Sequence, residues 1–336
     1  MLFECDEQAL RTLFESQLRN MLADNGLGAF ILVLANSLQD EGVHRRLSEP
    51  LKQCFMRLQE AHRNGTLHGS ADDAAVFEAL LASGIEKYQP WRHRAIGLWR
   101  AALNPLRGLR PRRASQAVFE SLSQPFAEER FHFDKPFLKP EILSEDDLQG
   151  RRVRTLYQKF PFVPFHLLML LEPAKHQPQY MTRAAFEMAW DITLTLSAKI
   201  PGFGAGYNSL GACASVNHLH VHGFVDGATF AIEAPQWRHN GGQRAYPVDV
   251  VAIDSKAGGW SLIERLHERN QPYNLFLRGG KCYLIQRQPQ GIVALPQWLP
   301  DAGWYELAGG FNLVDQQVFD QLQVDEIEPV LGRLIA

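Results

Sequence analysis

Asn217-His218-Leu219-His220-Val221-His222-Gly223-Phe224 sets three histidines at alternate positions, with Leu219 and Val221 between them. Strict alternation is a strand signal, and leucine and valine suit a pleated, half-buried surface. Residues i, i+2 and i+4 of a strand share a face, about 6–7 Å from one to the next. The spacing predicts His218, His220 and His222 as a row of imidazoles on one face, with Leu219 and Val221 packed on the other. Such a row makes a poor core and a good site.

Three roles are open to the row on spacing alone. The imidazoles could be structural. They could share a metal ion such as zinc, with Asp226 or the distant His166 as a further ligand. They could also act at phosphorus, where a neutral imidazole attacks a phosphoanhydride and its neighbours bind oxygens and protonate the leaving group. The preceding stretch, Asn208-Ser-Leu-Gly-Ala-Cys-Ala-Ser-Val-Asn217, favours phosphorus. Its small and hydroxyl residues allow backbone N–H groups to approach a phosphate closely.

Working outward, residues 151–171 read as strand, turn, strand, with two prolines bending 157–165 and an apolar run at 166–171 that suits burial on both faces. A helix is expected over 182–198, capped by Thr182. Short strands are expected at 230–232 and 248–253, a helix at 260–269, and a hairpin of 273–277 with 281–287 around Gly279-Gly280. A further strand at 309–314 and a last helix at 316–333 follow. Upstream, 6–63 looks helical, with Asn25-Gly26 as a stop and 29–34 ambiguous between strand and buried helix. A loop at 64–72 leads to a helix near 72–83. Phe131 and Phe133 alternate with His132 and Asp134, which suggests a strand, and 144–150 reads as a turn or loop. The irregular grouping of strands and helices gives an α+β class, with residues 1–85 a helical region and 86–336 the catalytic part.

Residues 87–113 are basic, from Lys87 through Arg92, Arg94, Arg100, Arg107 and Arg110 to Arg112 and Arg113. They read as a linker and helix face, or as a patch for a small polyanion. Overall the chain carries 34 Lys and Arg against 37 Asp and Glu, a net charge of −3, so no global field recruits it to nucleic acid or an anionic membrane. The four cysteines are scattered without a C-x-x-C pair, as expected in a reducing compartment. The acidic N-terminus does not read as a signal peptide, and no apolar run approaches the ~20 residues that span a bilayer. A soluble, cytoplasmic protein is expected.

The motif with Ser215 three residues before His218, and Asn208 ten before, resembles the histidine-triad superfamily. Lys159-Phe-Pro-Phe-Val-Pro-Phe-His166-Leu-Leu-Met-Leu resembles the proline-containing strand segment found there. Within that superfamily, Gly206-Tyr-Asn-Ser-Leu-Gly-Ala-Cys-Ala-Ser-Val-Asn-His-Leu-His220 is most similar to the GDP-L-galactose/GDP-D-glucose phosphorylase family. Gln124-Pro-Phe, Phe131-His-Phe-Asp-Lys135, Pro272-Tyr-Asn-Leu275 and the span from Trp91 to Arg100 point the same way. Residues 1–85 carry no such resemblance.

The resemblance implies a histidine-triad-like, galactose-1-phosphate uridylyltransferase-like antiparallel sheet with flanking helices. It implies that His220 attacks the α-phosphate of a nucleoside diphosphate sugar, GDP-hexose above others, to give a nucleotidyl-enzyme. Inorganic phosphate then takes the nucleotide. His218 matches the residue that orients the nucleophile, and Ser215 and Asn208 match phosphate contacts. Asn217, Lys135 and Lys159 lie in the matching segments and join them as candidate substrate- and phosphate-binding residues. No metal or cofactor is expected. A nucleotide sugar, phosphate and a second copy in a homodimer are the expected partners, and neither nucleic acid nor a membrane is.

His222 departs from the family, whose phosphorylases carry Gln there while hydrolase branches carry His. Glutamine can donate a hydrogen bond but cannot transfer a proton near pH 7, whereas histidine can do both. The acceptor, phosphate or water, is therefore open. So is a hydrolase of nucleotide sugars or dinucleoside polyphosphates, or a nucleotide-binding protein without turnover.

Overall fold

The computed structural model describes residues 1–24, 26–110 and 119–336. Asn25 of the expected helix stop, and Arg112 and Arg113 of the basic run, lie outside the described residues. Four helices come first: α1 (Glu7–Met21), α2 (Leu27–Ser37), α3 (Glu41–Arg63) and α4 (Ala71–Ser83). Asp6, Asp40 and Ser70 cap α1, α3 and α4 by accepting from the N–H of Ala9, Val43 and Asp73. The ambiguous 29–34 segment lies in α2, where Phe30 to Leu34 are all buried. A helix enclosed on every side has no polar face to set a period, so its sequence could not separate it from a strand.

An eight-stranded sheet follows, built from β3 (Ile142–Leu148), β4 (Arg151–Tyr157), β5 (Leu167–Leu171), β6 (Phe203–Asn208), β7 (His220–Val225), β8 (Asp249–Ile253), β9 (Tyr273–Arg278) and β10 (Lys281–Gln286). Its order is β3-β4-β5-β7-β6-β9-β10-β8, with every pairing antiparallel. β7 therefore lies in the interior, between β5 and β6. A second sheet joins β1 (Arg92–Ile96), β2 (Trp99–Leu103) and β11 (Gly310–Leu313) in the order β1-β2-β11. The remaining helices are α5 (Arg183–Ser197), α6 (Lys256–Glu268), α7 (Trp304–Ala308), α8 (Gln316–Gln321) and α9 (Val324–Gly332). The chain has the α+β architecture expected of it. Among the described residues no helix is long and apolar enough to cross a membrane.

Alternation along the strands divides the apolar residues between two faces. Leu219, Val221 and Val225 join Leu275, Leu277, Leu284 and the N-terminal helices in one core. Phe224, Phe276 and Ile285 join Trp99, Phe162, Trp304 and Phe311 in another. The helical region shares its core directly with the sheet: Phe14 of α1 packs on Tyr157 and Phe165, and the Tyr157 hydroxyl donates to the Phe14 carbonyl at 2.6 Å.

Five expectations need correction. Residues 142–148 form edge strand β3, because Leu143, Asp146 and Leu148 face inward while the acidic residues between them disguise the pattern. Residues 131–134 form no strand; Phe133 is buried while Phe131 stays exposed. The single helix expected over 316–333 is two, and 231–233 is a single 3-10 turn instead of a strand. Residues 92–103 of the basic run are no linker or helix face: they form the β1–β2 hairpin, and Arg94, Arg100 and Arg107 are engaged within the fold. Arg100 pairs with Asp226 and stacks 3.8 Å from the Phe230 ring centre, Arg94 donates to the Leu322 carbonyl, and Arg107 donates to the Phe160 carbonyl at 2.6 Å.

Candidate active site

The histidine strand begins at His220, so the expected row of three is broken at its first member. β7 pairs with β5 through Leu170↔His220, but with β6 only as far as Gly206↔His222. On its other side β6 pairs with β9 from Gly204↔Arg278 to Asn208↔Asn274. Residues 209–219 leave through the gap, which Gln179 fills. Its amide N–H donates to the carbonyls of Asn208 and His220 at 2.9 and 3.1 Å, and its oxygen accepts the His220 N–H at 2.9 Å. Gln179 thus satisfies the edge of β7 where the neighbouring strand has turned away. Nothing in the local sequence marked it.

His220 and His222 remain on one face with ring centres 5.2 Å apart. Gly206 is what allows that face to be roofed. A Cβ there would stand 2.1 Å from the Trp304 indole, which sits 6.1 Å from the His222 ring. The Nδ1 of His220 lies 2.7 Å from the His218 carbonyl oxygen. A carbonyl can only accept, so this nitrogen carries the proton and Nε2 presents a lone pair. Burial lowers His220 to about 4, so the ring is neutral at physiological pH. A neutral imidazole with Nδ1–H anchored and Nε2 free has the form that can attack phosphorus.

The other two histidines have different surroundings. His218 accepts the Phe133 N–H on Nδ1 at 3.2 Å, and burial lowers it to about 3. Phe126 packs against His218, His132 and His176 at 5.3, 5.2 and 5.1 Å between ring centres. The carboxylate of Glu128 reaches both His132 and His176 at 3.1 Å, tying this loop together. His222 faces His166, whose Nε2 is 2.9 Å from its Nδ1. Burial drives both well below the usual histidine value, with Arg107 and Arg110 adding to the effect.

The remaining candidates separate. Asn208 ends β6 with its amide oxygen accepting from Asn274 Nδ2 and the Trp304 N–H at 2.7 and 2.9 Å. Ser215 is exposed in the loop before His218. Asn217 has its amide engaged at both ends, accepting the Gln179 N–H at 2.9 Å and donating to the carbonyls of Gln124 and Pro125 at 3.3 and 2.9 Å. It fastens loops and keeps no free donor for a phosphate. Lys159 is held by Asp73 of α4 at 2.6 Å, between the helical region and the sheet. Asp226 pairs with Arg100 instead of joining the histidines. Among the described residues no group of three or more His, Cys, Asp or Glu is placed to hold a metal ion.

Lys135 lines a cavity of about 420 Å³ with Phe133, Leu138, Lys139, Ile142, Glu145 and Arg154. Phe133 forms its wall toward His220, 4.9 Å between ring centres. Asp134 completes the wall, and it and Glu145 pair with Arg154, so Lys135 and Lys139 are the cations left toward a charged ligand, beside the apolar Phe133, Leu138 and Ile142 that suit a flat base. Of this wall, the sequence pointed only to Lys135.

The family model described as GDPGP1-like, N-terminal domain, matches residues 99–224. GDP-D-glucose phosphorylase 1 of Danio rerio is 35% identical over 134 residues, which is 40% of this chain and 38% of that protein. The Homo sapiens protein of the same name is 37% identical over 133 residues, 37% of this chain and 33% of its own. The matches thus span between a third and two fifths of those relatives. Among solved structures, yeast Ap4A phosphorylase aligns over 79% of this chain and 94% of its own with a TM-score of 0.50 at 12% identity. Its complex with Ap4A aligns at 0.50 and 14%, over 80% and 98%. This likeness is one of fold.

Proposed function

We propose that this protein is a cytoplasmic nucleotidyl transferase that cleaves a nucleoside diphosphate hexose, GDP-hexose above others, through a covalent nucleotidyl-His220 intermediate, with inorganic phosphate as acceptor. The observation that carries the proposal is the 2.7 Å contact of His220 Nδ1 with the His218 carbonyl, which leaves Nε2 as the reactive lone pair. The similarity to GDP-D-glucose phosphorylases over the segment holding the motif supports the choice of substrate.

In the first step Nε2 attacks the α-phosphorus, and the bond to the bridging oxygen breaks with its electron pair going to hexose 1-phosphate. In the second, a phosphate oxygen attacks the same phosphorus and the N–P electron pair returns to Nε2. Splitting one displacement into two lets a single nitrogen serve both. The cavity beside Phe133 is the place proposed for the nucleoside, with Lys135 and Lys139 near its charge.

The test is incubation with GDP-glucose in the absence of phosphate, followed by mass spectrometry of the peptide holding His220. A guanylyl adduct on His220, lost on adding phosphate, is expected. His220→Asn should lose the adduct and several orders of magnitude in rate. Equal turnover by wild type and His220→Asn would sink the mechanism.

A further inference from the structure

The hydrogen bonds around the four imidazoles fix the place of every ring proton. His166 accepts the Phe162 N–H on Nδ1 at 3.4 Å, so its single proton is on Nε2. That N–H points at Nδ1 of His222, 2.9 Å away, and donates to it. With Nδ1 filled as an acceptor, neutral His222 carries its own proton on Nε2. His218, accepting from Phe133, likewise carries its proton on Nε2. Of these imidazole nitrogens, only Nε2 of His220 offers a free lone pair.

We propose that His166 is a positioning residue that locks His222 as a hydrogen-bond donor only, restricting the site to leaving groups and acceptors that need no proton moved. The inference rests on the nucleotidyl-His220 reading and settles the acceptor within it. A donor-only His222 supplies what a glutamine amide would supply, one N–H toward a phosphate oxygen, and no acid or base. Hexose 1-phosphate departs from the α-phosphorus as an anion without being protonated. A phosphate dianion attacks with an oxygen that is already anionic, and the proton it carries stays on the new terminal phosphate of GDP. Water must lose a proton as it attacks, and neither His218 nor His222 has a nitrogen to take it. The same lock excludes leaving groups such as amines, which depart only when protonated.

The groups facing the pair reinforce the lock. Arg107 and Arg110 act on both rings and His220 lies on the near side, so each disfavours a second proton on His166 or His222. Phe162 stands 4.1 Å from the His166 ring and 6.0 Å from the His222 ring, and Trp304 closes the other side. No carboxylate pairs with Arg107 among the described residues, and its guanidinium lies 4.6 Å from the Phe162 ring centre.

The experiment reads the GMP-to-GDP product ratio from GDP-glucose at fixed phosphate, which reports how the shared intermediate divides between water and phosphate. Wild type should give almost only GDP. His166→Phe removes the donor to Nδ1 of His222, so the ring proton can move to Nδ1 and free Nε2, the nitrogen that faces the phosphate, to act as a base. The ratio should rise about tenfold or more, since a positioned base is worth about 10²–10⁴-fold, and the water reaction should gain a dependence on pH near neutrality. His222→Gln, whatever its rate, should keep the wild-type ratio, and His166→Phe/His222→Gln should return to it. The ratio does not depend on how much enzyme is folded. If His166→Phe does not accumulate, His222→Gln decides: an unchanged ratio supports the lock and a tenfold rise overturns it. An unchanged ratio in folded His166→Phe overturns it as well. Failure of the underlying reading looks different, because wild type would then show no guanylyl-His220 at all.

Discussion

Replacing Gln179 by alanine tests whether the gap between β6 and β7 is held by one side chain. Its amide satisfies three buried backbone groups, the carbonyls of Asn208 and His220 and the N–H of His220. A buried polar group left without a partner costs about 1–3 kcal/mol. Three such groups give a loss of about 3–9 kcal/mol, toward the lower end if water enters the space vacated. Gln179→Glu is the sharper variant, because it keeps the shape and the acceptor but turns the donor into an oxygen facing two carbonyls. Both changes act on the backbone that carries the nucleophile, and a displacement of about 1 Å there is worth about 10²-fold in rate. Urea unfolding measures the first effect, and the single-turnover rate of guanylyl-His220 formation measures the second. If Gln179→Ala unfolds within about 1 kcal/mol of wild type and forms the adduct at the same rate, the gap is held by something else.

Gly206→Ala should fail to fold or lose the roof of the site, since the new Cβ would meet the Trp304 indole at 2.1 Å; an unchanged tryptophan emission and unfolding midpoint would refute this. Arg100→Met should cost about 1.5–3 kcal/mol by leaving the half-buried Asp226 with the Ala228 N–H but without its cation, and adding Asp226→Asn should recover part of that in the same denaturation assay. Stability should also fall as pH drops. Burial lowers His166, His218, His220 and His222, with His220 at about 4, so their contribution is complete above about pH 6.5 and is lost as pH falls toward the folded value, at about 1.4 kcal/mol per pH unit for each. Glu141 and Glu306, raised by burial to about 7, work in the opposite direction and offset two of the four. His44, His93, His239 and His267 add to the loss, so the urea midpoint should decline between about pH 6.5 and 5. A flat or rising midpoint would contradict the signs.

What the sequence made legible was local. Alternation through Leu219, Val221 and the histidines gave the faces of β7, and Thr182 and the glycines at 279–280 marked a helix start and a hairpin that the structure contains. The reading failed where a distant segment decides the outcome. His218 lies outside the strand because β6 pairs with β7 only as far as Gly206↔His222 and Gln179, from a separate segment, takes up the backbone groups of His220. The ring of Phe126, His132 and His176 around His218 is assembled from three stretches that no spacing rule connects. Glu145 and Asp147 made an edge strand look like a loop, since a strand with one side open to water tolerates charge there. His222 was identified as the residue on which the reaction turns. Its protonation state, however, depends on His166, placed opposite it through β5 and the two prolines before it.

The shared core of the helical region and the sheet bears on how the chain is made. α4 ends at Ser83, whereas β4, whose Tyr157 receives Phe14, does not begin until Arg151. At about 5–20 residues per second, the roughly 70 residues between them take about 4–14 s to synthesise. For that interval the helices have left the ribosome with Phe14 and its neighbours uncovered. A nascent chain stalled between these points should present an apolar surface for a chaperone to hold, and one released beyond β5 should not.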